Sequence, residues 1–287
     1  MIVGFGAGYL VFLAFLLFIV RPKANARRIQ VVVNTVGLPL TTELEPTVKA
    51  TLRREVWVGF LSICVALALA SIGMILGQVH SPGQVFFIDF TAVLLATGIS
   101  SAIATSVRED ARQRSQVRFA RLTSVDIDDY RSWPQRWAPR VVVVVALAVF
   151  ACRVIVEPGG QAATPVFLYI YAGAIIVSLV INEVTSRTLV TRGQPAGSAL
   201  ELAWDDALRS RALGSIAVAP VYLACYLNIA SVAFYPTSRS AASVFAVQLS
   251  AVTELVFAAG LLVWVIGTSA RKPQQRFLRR LWPEFVA

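Results

Sequence analysis

Histidine is almost missing from this chain: among 287 residues there is one, His80, between Val79 and Ser81. Zinc proteases, haem-binding bundles and intramembrane Ser–His proteases all need imidazole inside the protein. A lone histidine in a short predicted loop excludes these classes. Cysteine is scarce too. Cys64, Cys152 and Cys225 are odd in number and each falls in an apolar run, so they read as small packing residues without a disulfide framework. Lysine is limited to Lys23, Lys49 and Lys272, all outside the apolar runs, which leaves no lysine for a retinal Schiff base in the last span. No GxxxxGK[ST] or GxGxxG pattern occurs, so no nucleotide site is signalled. No cofactor and no metal are expected.

Charge is missing from seven long stretches. A helix needs roughly 17–25 apolar residues to cross the hydrocarbon core, and hydropathy places spans at about 2–20, 57–78, 85–106, 141–156, 165–184, 213–235 and 242–268. Hydrophobic residues make up 57% of the chain, above the share usual for a soluble domain. The fold expected is all-α: one membrane domain of seven transmembrane helices. Its layout matches retinal proteins and receptors by analogy alone.

What charge there is sits in alternate gaps. Segments 21–56, 107–140 and 185–212 and the tail 269–287 hold 24 of the 26 Lys and Arg; Arg153 and Arg239 are the exceptions. The positive-inside rule then puts the N-terminus outside and the C-terminus in the cytoplasm. The first span has no basic residue before it and is followed by Arg21, Lys23, Arg27 and Arg28, so it reads as a retained reverse anchor. The net charge of +10 becomes a property of one face, suited to anionic lipid headgroups. No basic stripe interleaved with aromatics stands on a soluble domain, so nucleic acid is not an expected partner. The 23-to-3 excess of Arg over Lys fits the coding bias of a high-GC bacterium, and the expected location is the plasma (inner) membrane.

The chain after the first span reads as threefold. Thr42-x-x-Glu45, Thr123-x-x-Asp126 and Ser198-x-x-Glu201 are helix starts of the capping-box kind. Hairpins then close at Thr105-Ser106, Thr185-Ser186 and Thr268-Ser269. A hairpin repeat over 42–108, 123–187 and 198–271 is one reading; the shared needs of any hairpin are the other. The helix after Ser198 carries Leu200, Ala203, Trp204, Ala207 and Leu208 on one face, with Glu201, Asp205 and Arg209 as an i, i+4 ladder opposite. Such helices lie in the headgroup plane or dock a partner, with Trp204 and Leu208 as contacts. Arg276, Arg279 and Arg280 in the basic tail read the same way.

Ionisable groups inside spans are costly and mark function by default. Asp89, Arg153 and Glu254 are the three of interest, and Tyr169 and Tyr171 occupy the matching place in span 5. Together they predict a polar cavity in the outer half of the membrane, against the plainer alternatives of an interhelical bridge or headgroup placement. Small residues at Gly98 to Ala102, at Gly173 with Ser178, and at Ala258 to Gly260 predict close helix approach. Pro220 predicts a bend in span 6.

These features point first to a transport component, a permease-like subunit or small carrier, with a cytoplasmic ATPase or another membrane subunit as partner. A sensor or scaffold recruiting partners to the basic face is the alternative. A lipid-acting enzyme using Asp89 or Glu254 as base ranks third, because no second catalytic group is evident.

Overall fold

The computed structural model describes residues 30–76, 88–89, 91–93, 96, 100, 125–156, 166–191, 198–234 and 276–285. Every regular element among them is helical. A short helix at 30–36 precedes α1 (Glu45–Leu76), α2 (Ile127–Tyr130), α3 (Trp133–Val156), α4 (Val166–Thr191), α5 (Ala199–Phe234) and α6 (Arg276–Leu281). A 3-10 turn at Pro283–Phe285 follows. Spans 2–20 and 242–268 lie outside the described residues. Of 85–106, the described residues are all helical.

Local chemistry sets the helix starts. Ser198 Oγ accepts the N–H of Glu201 at 3.2 Å, an N-cap bond that satisfies a donor the helix itself cannot. At α2 the cap is Asp126, not Thr123. Its N–H donates to Asp129 Oδ2 at 3.0 Å while its own carboxylate takes backbone N–H groups of the first turn, so the box sits one turn later than the spacing predicts. Residues 42–44 form a turn on the Thr41 carbonyl, and α1 begins at Glu45 itself. The 30–36 helix stops at Gly37, whose φ of 76° and N–H bond to the Val33 carbonyl at 2.9 Å make a left-handed cap that favours glycine.

Among the described residues, four helices are long and apolar enough to cross a membrane: Glu45–Ile72, Trp133–Cys152, Leu168–Thr191 and Ala199–Ile229. Their outward faces are apolar. On α1, Trp57, Leu61, Val65, Leu69 and Ile72 are all exposed and follow the i, i+4 row of a single stripe. Val141, Val144 and Val145 on α3 and Ile170, Ile176, Val177, Val180 and Val184 on α4 are exposed in the same way. Water would penalise such a surface and lipid would not.

α5 is the hub. It packs along α3 and α4, and the pairings fix direction. Arg131 meets both Asn182 and the Leu213 carbonyl, Arg140 meets Glu183, Phe150 meets Tyr169 edge-on at 5.7 Å, and Arg211 reaches Glu55. So α1, α3 and α5 run one way and α4 runs back. The charged residues named here gather at one end, around a core that includes Val36, Leu52, Tyr130, Trp204, Leu208, Phe277 and Trp282. The other end has an apolar core of Val143, Phe150, Leu168, Ile175, Leu223 and Leu227.

Exposed Trp57, Trp133 and Trp137 lie near the boundary between the two, the depth where tryptophan belongs in a bilayer. From that level, Trp57 to the end of α1, Arg140 to the end of α3, Glu183 to the start of α4 and Leu213 to the end of α5 measure about 30, 25, 27 and 33 Å at 1.5 Å per residue. A hydrocarbon core is ~30 Å thick. The first three turns of α1 and α5 therefore stand beyond it.

Helices α1 and α5 are continuous over 32 and 36 residues. The stretches that the sequence reads as separate interfacial helices are the N-terminal ends of the same long helices, because no breaking residue separates amphipathic part from apolar part at 56–57 or 212–213. A continuous spanning rod does not also lie flat on the headgroups. Pro220 is carried inside α5 without ending it. Of the small-residue faces, Ser100 is buried, and its Oγ lies 3.8 Å from where a Cβ on Gly59 would stand. Gly173 faces open space, so it makes no close approach.

Candidate functional site

The strongest concentration of polar contacts lies at the basic end, and α5 supplies its floor. Residues 202–210 of α5 are all buried. Trp204 is 2% exposed and Leu208 3%, and the indole Nε1 donates to the Pro39 carbonyl at 3.0 Å. This corrects their reading as lipid- or partner-docking residues: the segment 30–52 already covers that face. The opposite face is covered as well. Asp205 and Arg209 of the i, i+4 ladder are buried, as is Asp206 beside them, while Glu201 is half-buried. Periodicity identified the apolar face, but it gave no sign that α2 and the C-terminal segment would close over the polar one.

Asp206 ties three separate parts of the chain together. The Tyr130 hydroxyl donates to its Oδ1 at 2.6 Å and the Trp282 indole to its Oδ2 at 2.8 Å. Hydrogen bonds to a carboxylate are about twice as strong as neutral ones, and both oxygens are used. Phe277 and Leu278 of α6 are buried beside this contact. Arg276 Nε donates to the Asp128 carbonyl at 3.2 Å, and Arg280 pairs with Asp129 at 3.1 Å. Two of the three tail arginines predicted to touch lipid or a partner are thus engaged by α2, whose acidic turn is their counter-charge; Arg279 is exposed.

A second set of contacts lies alongside. Arg131 is 5% exposed. Its Nη2 donates to Asn182 Oδ1 at 3.4 Å and to the Leu213 carbonyl. Burial holds its pKa down, to about 10, and the Glu183 carboxylate offsets only part of that. Glu183 itself is gripped by both arms of Arg140, at 2.7 Å and 2.5 Å, and the same guanidinium stacks 4.8 Å from the Trp137 ring. Arg136 pairs with Asp128 at 3.0 Å. The sequence signal for this network was present in Asn182, Glu183 and Asp206, but only tertiary placement pairs them with 130, 131, 140 and 282.

Of the residues predicted to share an outer cavity, Glu254 and the Arg153 side chain lie outside what is described. Tyr171 is buried with Leu168, Ile175 and Leu223 beside Thr91. Tyr169 is 41% exposed. Two residues apart on a helix they point about 200° apart, so they cannot line one pocket. Asp89 is half-buried on its helical segment. Arg153 belongs to the last turn of α3, and Glu254 lies outside the described residues. No cluster of three or more potential metal ligands occurs among the described residues.

The geometry is that of a fastening. Each Asp206 oxygen accepts a hydrogen bond from a different part of the chain, Tyr130 on one side and Trp282 on the other. Comparison with protein-family models, with curated proteins and with solved structures finds no match for this chain.

Proposed function

We propose that the chain is a seven-span scaffold of the plasma membrane, with its N-terminus outside and its basic end folded as a rigid platform in the cytoplasm. The observation that carries this reading is the docked C-terminal segment. Phe277, Leu278 and Trp282 are buried on α5 and α2, which supports an ordered polar layer at the arginine-rich end. Arg53, Arg54, Arg187 and Arg279 are exposed on it. A fixed basic surface next to anionic lipid suits an acidic partner protein held at the membrane.

The test is charge reversal on the exposed set. Arg53→Glu with Arg54→Glu, and separately Arg279→Glu, should abolish retention of a partner that co-purifies with the wild-type chain, while Lys at the same positions retains it. Melting temperature should change little, because surface charges contribute little to stability. Undiminished partner retention by the reversed variants contradicts the scaffold reading.

A transport component, coupled to an ATPase or working as a small carrier, is the other reading. It rests on Asp89, Arg153 and Glu254 lining one route. Loss of solute uptake in Asp89→Asn and Glu254→Gln, with assembly intact, would favour it over the scaffold.

A further inference from the structure

Arg131 carries a buried positive charge whose hydrogen-bond partners, the Asn182 amide oxygen and the Leu213 carbonyl, are both neutral. The neighbouring carboxylates are committed elsewhere. Glu183 is bidentate to Arg140, and Asp206 takes Tyr130 and Trp282. Glu183 acts on Arg131 only through its field and offsets only part of the cost of burial, which for an ion lacking a bonded counter-ion is several kcal/mol. Three donors on Arg131, Asn182 and Ser186 also find no acceptor among the described residues: Arg131 Nε, Asn182 Nδ2 and Ser186 Oγ. All three residues are at least nine-tenths buried. Asn182 and Ser186 are one turn apart on α4, hence on the same face, and that face is the one Arg131 meets. Ser186 is free of its own helix, whereas Thr188 and Thr191 on the same helix bond back to the carbonyls four residues before them.

We propose that Arg131, Asn182 and Ser186 form a buried binding site for a small monovalent inorganic anion of halide size. Such an ion accepts from all three donors at once and neutralises the guanidinium. Water would satisfy the hydrogen bonds and leave the charge. The site sits where α2, α4 and α5 meet, so occupancy clamps these three elements together and stabilises the basic end by mass action.

The experiment is thermal unfolding of the purified full chain in detergent, followed by tryptophan fluorescence. Chloride or bromide is raised about a hundredfold at constant ionic strength, with gluconate as the replaced anion. An ion that binds only the folded chain raises the melting temperature by a few degrees over such a range. The wild-type chain should respond to both halides with saturation. Ser186→Ala should shift saturation to higher halide, and Arg131→Met should abolish the response. If Arg131→Met does not fold, Asn182→Leu together with Ser186→Ala takes its place. A response equal in gluconate, or unchanged in the Ser186 and Asn182 variants, overturns the proposal and leaves these donors to water.

Discussion

Trp282→Phe removes the indole N–H together with part of the ring, and it tests the fastening of the C-terminal segment. The indole Nε1 donates to Asp206 Oδ2 at 2.8 Å inside the protein. A hydrogen bond to a charged group contributes about 1.5–3 kcal/mol. Phenylalanine keeps most of the ring's burial and its tilted contact with Phe285, so the bond is the main loss, with a smaller loss of packing beside it. At about 1.4 kcal/mol per factor of ten, the open population of the segment should rise roughly ten- to a hundredfold. Trypsin reads that population directly, because Arg276, Arg279 and Arg280 lie within the segment and proteolysis follows the open fraction when reclosing is fast. Asp206→Asn should act in the same direction: one amide hydrogen would then face a donor, either the Tyr130 hydroxyl or the Trp282 indole. Tyr130→Phe should be milder on tail cleavage, because it leaves the indole bond. Cleavage at an unchanged rate in both Trp282→Phe and Asp206→Asn would refute the idea that Asp206 holds the tail.

Other consequences can be checked in the same preparation. Trp204→Ala should lower stability by about 3–5 kcal/mol, the usual cost of emptying a buried tryptophan site, and Trp204→Phe by less; a surface-like effect in thermal unfolding would return this residue to a docking role. Deleting 276–287 should uncover the face occupied by Phe277 and Leu278, lowering the melting temperature and raising dye binding, where a free lipid-contacting tail would leave both unchanged. Gly37→Ala should cost about 1 kcal/mol, since alanine is strained at positive φ. A double-mutant cycle on Arg140→Met and Glu183→Gln should give a coupling near 1 kcal/mol or below, because both side chains are about a quarter exposed and such pairs are screened.

The apolar runs were legible because lipid-facing helices need no partner to explain their composition. Runs 57–78, 141–156, 165–184 and 213–235 each correspond to a long described helix. The N-terminal extensions of α1 and α5 were legible as amphipathic but not as continuous with the apolar runs, because a helical period is the same whether the rod turns or goes straight. The Ser198 cap was readable from spacing; the Asp126 cap was misplaced by one turn, since two overlapping boxes fit the same residues. The polar layer was the least readable part. Asp206 looks like an exposed helix residue until Tyr130 and Trp282 arrive from 76 residues away on either side. Tyr169 and Tyr171 looked equivalent by depth, yet helix phase sends one into the core and the other outward.

The proposed function rests on seven apolar helices sitting in lipid with the arginine-rich platform on the cytoplasmic side. Labelling of single cysteines introduced at Ser81 and at Ser115, in a background lacking the three native cysteines, tests it most directly in intact cells. Ser81→Cys should react with a membrane-impermeant maleimide, and Ser115→Cys should react only after the membrane is opened. Labelling of Ser115→Cys in sealed cells, with Ser81→Cys protected, would put the platform outside and contradict the account.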